Sequence, residues 1–231
     1  MYLILKILLI IIAVLAPIVL FYLYAFKFEA VNFKLSYITI NLKNNKKNTV
    51  NKSAAFLNPS FKILHLSDFH LRKDKNGSYL FNFIQNLGYL KPDIIVLTGD
   101  LVEKNQYFNY LKEMLLNLRA QNGKFAVFGV HDYYHKSPSE FIKNMIKRQK
   151  SYRRENNIED LIKTLAAAGV KVLRNEKVQL SLDESLPLIE IIGIDDIIIK
   201  KANPDLVFNP DIKSKPLESG SNKKFYREVF S

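Results

Sequence analysis

The chain has 231 residues, with 34 Lys and Arg against 22 Asp and Glu, for a net charge of +12. That length is enough to bury the core of one domain. Four histidines and no cysteine exclude disulfides and thiolate metal sites, while the positive balance favours phosphates, anionic head groups or nucleic acid as contacts.

Residues 1 to 26 read as an N-terminal transmembrane signal anchor. From Ile7 to Phe26 the chain runs 20 residues without a charge, and a helix of that length spans about 30 Å, the thickness of a bilayer core. A cleaved signal peptide has a shorter apolar core and a small-residue exit; "LYAFKFEA" offers neither. Pro17 is tolerated inside a membrane helix, and Tyr22 and Tyr24 suit an interface. Lys6 precedes the span, whereas Lys27, Lys34, Lys43, Lys46 and Lys47 follow it. The positive-inside rule then places the C-terminal domain in the cytoplasm.

Residues 27 to 60 form a juxtamembrane stretch. Its first part, 27 to 42, alternates apolar and polar and predicts an amphipathic strand; the rest is polar loop. The remaining residues, 61 to 231, predict one α/β domain. "FKILHLSD", "DIIVLTGD" and "KFAVFGVHD" are three β-rich runs with polar tips. Helical segments fall between them, near Ser78 to Leu90 and Gln106 to Ala120. Strand, helix, strand, helix, strand predicts a mainly parallel sheet, whose ligands bind beyond the carboxyl ends of the strands. Ser137, Pro138 and Glu140 suggest a helix start, followed by a basic run from Lys143 to Arg154 that reads as a solvated face or a lipid-facing patch. "IEDLIKTLAAAGV" predicts an amphipathic helix closed at Gly169. "KVLRN", "KVQLSLD" and "LPLIEIIGIDD" predict three more strands, with Asp195 and Asp196 in a loop.

The strand tips carry the candidate chemistry. Asp68 and His70, two residues apart on an extended backbone, would point to one side, and a carboxylate paired with an imidazole suits a divalent transition metal. Asp100 follows Gly99 at a turn and could join two ions. His131 beside Asp132 suits a general acid whose ring a carboxylate orients. By strand parity His65 faces away from Asp68 and reads as packing. His135 reads as a surface residue.

"LSDFHL", "LTGDL" and "VFGVHDYY" resemble the first three motif blocks of the calcineurin-like metallophosphoesterases. The resemblance is nearest to the membrane-anchored bacterial branch that is similar to UDP-2,3-diacylglucosamine pyrophosphatase. "GVKVLRNEKVQL" and "IIGIDD" point the same way. It implies the family's sandwich of sheets with flanking helices. It also implies divalent ions (Mn, Fe or Zn), normally two, and hydrolysis of a phosphate or pyrophosphate ester. Asp68 and His70 would hold the first ion and Asp100 would bridge both; His131 would protonate the leaving oxygen with Asp132 in support. The family's third block carries Asn where this chain has Val130, which offers no lone pair. The family draws further His ligands from later blocks, and no histidine follows His135. The expectation is a domain incomplete at its C-terminus, from a shortened reading frame, with the second metal site mostly lost. The implied partner is a membrane lipid or a lipid-linked phosphate of lipid A synthesis, and no nucleic acid is expected. The competing expectation is a degenerate, non-catalytic relative that binds lipid or another protein.

Overall fold

The computed structural model describes residues 2–27, 29–40, 61–135, 145–146, 154–181, 188–208 and 215–216. Helix α1, Tyr2–Lys27, begins five residues before the uncharged run and includes Lys6. Its apolar span, Tyr2–Ala25, is buried nowhere in the domain and is long and apolar enough to cross a bilayer.

Four strands form the central sheet: β1 (Ile63–Leu66), β2 (Ile94–Thr98), β3 (Lys124–Val127) and β6 (Val170–Val172). They lie side by side in that order, every pair parallel. Helix α2 (Lys75–Gln85) connects β1 to β2, and α3 (Phe108–Leu116) connects β2 to β3. The Asp74 carboxylate accepts the Gly77 N–H at 2.8 Å and starts α2, as an N-cap aspartate does. Helix α4 (Val130–Tyr133) is a single turn, followed by the two-residue strands β4 (Tyr134–His135) and β5 (Arg154–Glu155). Helix α5, Ile158–Ala167, is the predicted amphipathic helix, and Gly169 ends it at φ 72°. Beyond β6 the chain changes mode. Strand β7 (Glu176–Leu180) pairs antiparallel with β8 (Ile189–Gly193) and parallel with β9 (Lys215–Pro216). A short helix, α6, spans Asp205–Phe208 between them.

Strand periodicity divides the core in two. Leu64, Ile95, Leu97 and Ala126 face the helices, where Leu111 and Leu115 of α3 meet Leu161 and Leu165 of α5. Their neighbours Ile94 and Phe125 face the second sheet and pack on Val178 and Leu180. Each fully buried Leu or Ile of this kind contributes about 1.5–3 kcal/mol. The central sheet is therefore covered on both faces, helices on one and β7 with β8 on the other.

Two sequence expectations need correction. The strand predicted over 27 to 42 does not form among the described residues. Glu29–Val31 make a 3₁₀ turn, and 32 to 40 run without a ladder partner. The alternation there serves packing: Phe33 and Leu35 lie on the main core, with the Phe33 ring 5.3 Å from that of Phe83. His65 is not a packing residue either. It is exposed and meets Thr98 Oγ1 at 2.6 Å, on the sheet face opposite the helices. The polar loop, the helix start at Ser137 and most of the basic run lie outside the described residues.

Candidate metal and phosphoester site

Beyond their strands, the three tips stay zipped together. Asp68 N–H donates to Gly99 O at 3.1 Å, His70 N–H to Asp100 O at 2.9 Å and Leu71 N–H to Leu101 O at 3.1 Å. Leu71, Leu101 and Val102 are fully buried beneath them. Gly99 at φ 78° and Gly129 permit the close approach. A Cβ on Gly99 would lie 2.9 Å from Gly129 N, and one on Gly129 would strike the Asp100 carboxylate.

Asp68, His70 and Asp100 have φ values of 53°, 41° and 54°. Non-glycine residues seldom adopt this left-handed conformation, and strain of this kind gathers at functional sites. Asp68 and His70 therefore do not project from an extended strand as expected, because β1 ends at Leu66 and the chain turns. His70, Asp100 and His131 converge, with one candidate ligand atom from each all within 4.8 Å of one another. Asp68 is outside that trio. It lies on the same edge through its backbone bond, and its charge acts on His70.

The trio is held from behind. Asp100 Oδ1 accepts the His131 N–H at 2.9 Å, while Oδ2 lies 3.7 Å from His70 Nε2. Glu103 Oε1 meets His70 Nδ1 at 3.1 Å. This bond to Glu103 is the main reason the His70 pKa is raised, with Asp100, Glu103 and Asp68 adding and burial opposing. Glu103 in turn is lowered, chiefly by His70. The His70 and His131 rings meet edge to face at 4.9 Å. His131 Nδ1 is buried without a hydrogen-bond partner. Two imidazoles, one of them with an unpartnered ring nitrogen, and a carboxylate at one point fit a divalent transition ion. Val130 occupies the first position of α4 and has no donor atom for a second.

Asp132 does not stand behind the His131 ring as expected. Its buried carboxylate accepts four backbone N–H groups: Asp100 and Leu101 at 2.8 Å, Gly129 at 2.9 Å and Val102 at 3.3 Å. It ties the second tip to the third. Burial pushes its pKa up to about 7, while the Gly129, Leu101 and Val102 amides pull the other way.

Three supports of the site, Glu103, Asn156 and Asp195, lie outside the motif blocks. Glu103 sits three residues after Asp100 in "GDLVE", and that spacing was the available signal. Asn156, buried, donates from Nδ2 to the carbonyls of His131 and Asp132 at 3.2 Å and receives His135 Nδ1 at 3.1 Å. His135 is thereby occupied away from the trio. Asp195, read as loop, is buried. It accepts the Tyr133 hydroxyl at 2.6 Å and Arg174 Nε at 3.0 Å.

Residues 61–215, more than half of the chain, match the family model described as calcineurin-like phosphoesterase. The chain belongs to that family. Among its relatives, an uncharacterized metallophosphoesterase of Campylobacter jejuni is 32% identical over 105 residues, 44% of this chain and 28% of that protein. The UDP-2,3-diacylglucosamine pyrophosphatase LpxG of Chlamydia trachomatis is 29% identical over 171 residues, 64% of this chain and 52% of that one. The uncharacterized metallophosphoesterase YkoQ of Bacillus subtilis is 30% identical over 174 residues, 71% and 54% of the two chains. The chain thus spans about half, or less, of the length of these curated relatives.

Proposed function

We propose that this metallophosphoesterase hydrolyses a phosphate or pyrophosphate ester that a membrane presents, lipid-linked in the manner of UDP-2,3-diacylglucosamine. The observation that carries the reading is the His70–Asp100–His131 trio at the strand tips, in a chain whose first helix can cross a bilayer. Membership of the family and the name of the chlamydial relative support the substrate class. The basic residues after α1 favour a cytoplasmic face.

His70 and Asp100 would hold one ion of Mn, Fe or Zn, with Asp68 beside them on the same edge. A bound ion of this kind polarises a phosphoryl oxygen and lowers the pKa of water. The chain's own residues prepare the place for it. The Glu103 carboxylate takes the Nδ1–H of His70, which fixes the ring tautomer and turns the Nε2 lone pair toward Asp100. Asp100 spends Oδ1 on the His131 amide and keeps Oδ2 for the site. His131, the third member of the trio, would stand beside that ion and give a proton to the leaving oxygen, and Asp132 holds the loop that carries it. Val130 favours a second reading, in which the chain binds one ion and lipid but turns over slowly or not at all.

The test is calorimetric titration of the full chain in detergent micelles with Mn²⁺, followed by assays on a chromogenic phosphodiester and on UDP-2,3-diacylglucosamine. One ion site, abolished in Asp100→Ala, with slow metal-dependent turnover is the expected result. Ion binding without turnover selects the second reading. No ion binding at all would sink both, and two tight sites with rapid turnover would sink the assignment of Val130 as a lost ligand.

A further inference from the structure

Ile197 and Ile198 are 79% and 57% exposed on the turn 197–200 that follows β8. Single exposed isoleucines are ordinary on a surface. Two in succession on a turn that is tightly pinned are another matter. Asp196 Oδ1 accepts the Ile199 N–H at 2.9 Å, and the Asp196 carbonyl accepts from Lys201 and Ala202 at 2.9 and 3.0 Å. Asn175 crosses the base of the turn. Its Oδ1 accepts the N–H groups of Asp195 and Asn203 at 3.2 and 2.8 Å, and its Nδ2 donates to Lys201 O at 2.9 Å. Ile199 packs into the main core. The fold therefore holds Ile197 and Ile198 outward, where a looser turn would let them collapse. Lys200 and Lys201 follow them, both exposed. Lys201 Nζ rests 4.9 Å above the Tyr133 ring, two residues from His131.

We propose that this turn is a membrane-docking tip: Ile197 and Ile198 enter the head-group boundary of an anionic bilayer while Lys200 and Lys201 meet lipid phosphates. Apolar side chains beside basic ones are the composition of interfacial segments. The apolar α1 supplies the bilayer as the occupant, and the net charge of +12 complements an anionic surface. Through Lys201 and Tyr133, docking would set the strand tips against the head-group plane. The inference rests on the anchor reading and is independent of hydrolysis.

The sequence contains no tryptophan, so Ile198→Trp in the full chain is a single fluorescent reporter. The chain is reconstituted into phosphatidylcholine vesicles with and without phosphatidylglycerol, and flotation reports attachment. The expected result is emission at shorter wavelength and quenching by brominated acyl chains, stronger with phosphatidylglycerol and weakened by Lys200→Glu. Tyr79→Trp on α2, also exposed, should stay unquenched. A chain that floats with an unquenched reporter at 198 overturns the proposal. So does a wavelength shift without quenching, which would mean that protein covers the turn, and so does equal quenching at 79. A chain that fails to float removes the anchor and the proposal together.

Discussion

Asp132 and Asp195 are both buried carboxylates, yet the molecule satisfies them in different currencies. Asp132 is met by four backbone N–H groups from two loops. Asp195 is met mainly by side chains, Tyr133 and Arg174, with Lys201 and Arg174 over the Tyr133 ring. Backbone donors cannot swing away or find water when their acceptor is lost, whereas Arg174, about one-third exposed, can. A carboxylate bound to backbone therefore sets loop geometry, and one bound to side chains joins surfaces that tolerate adjustment. The first region shapes the site, and the second braces the wall formed by β6 and the turn after β8.

The sharpest way to break this contrast is to delete each carboxylate. Asp132→Ala leaves four N–H groups orphaned at about 1–3 kcal/mol each, so a loss of about 4 kcal/mol or more is expected. Asp195→Ala should cost about 2 kcal/mol, for the one buried donor it orphans, the Tyr133 hydroxyl, because water reaches Arg174. Denaturant unfolding of the detergent-solubilised chains measures both, and equal losses would remove the distinction.

Lys124 sharpens the comparison from the cationic side. It is 3% exposed, and Nζ donates to the carbonyls of Leu115 and Leu118 at 2.8 and 3.0 Å, capping α3. Burial lowers its pKa to about 8 from 10.5. The folded chain then binds this proton more weakly than the unfolded chain does between those values. Stability should rise with pH from about 8 to 10.5, by about 3 kcal/mol at most, and fall back as pH drops through 8. Unfolding of the chain and of Lys124→Met at pH 8 and pH 10 tests this: the gain should be confined to the chain that retains the lysine.

The smallest expected effect concerns Glu103, whose carboxylate acts on the site through His70 rather than through backbone. Glu103→Gln should weaken Mn²⁺ binding about 10–100-fold, the usual cost of losing a group that orients a ligand, while leaving the unfolding midpoint without ion nearly unchanged. A fall in stability with unchanged ion affinity would make Glu103 a structural residue only.

The motifs "LSDFHL", "LTGDL" and "VFGVHDYY" were sufficient to place three polar tips at the ends of parallel strands. Local periodicity and composition determine which segments become strands, and parallel order follows from the helices between them. The apolar run near the N-terminus was equally plain, since a bilayer span depends on length and hydropathy alone. Val130 could be read directly, because a missing lone pair is a property of the residue type. Tertiary structure decided the rest. The left-handed turns at Asp68, His70 and Asp100 arise where three loops bond to one another, and no local rule selects them for these residues. Asp132 took backbone donors some 30 residues away in sequence in place of the ring beside it. Asp195 found Tyr133 across 62 residues. Burial partners of a charged side chain are chosen by the packing of distant segments, and so they remain hidden in the sequence until the chain is folded.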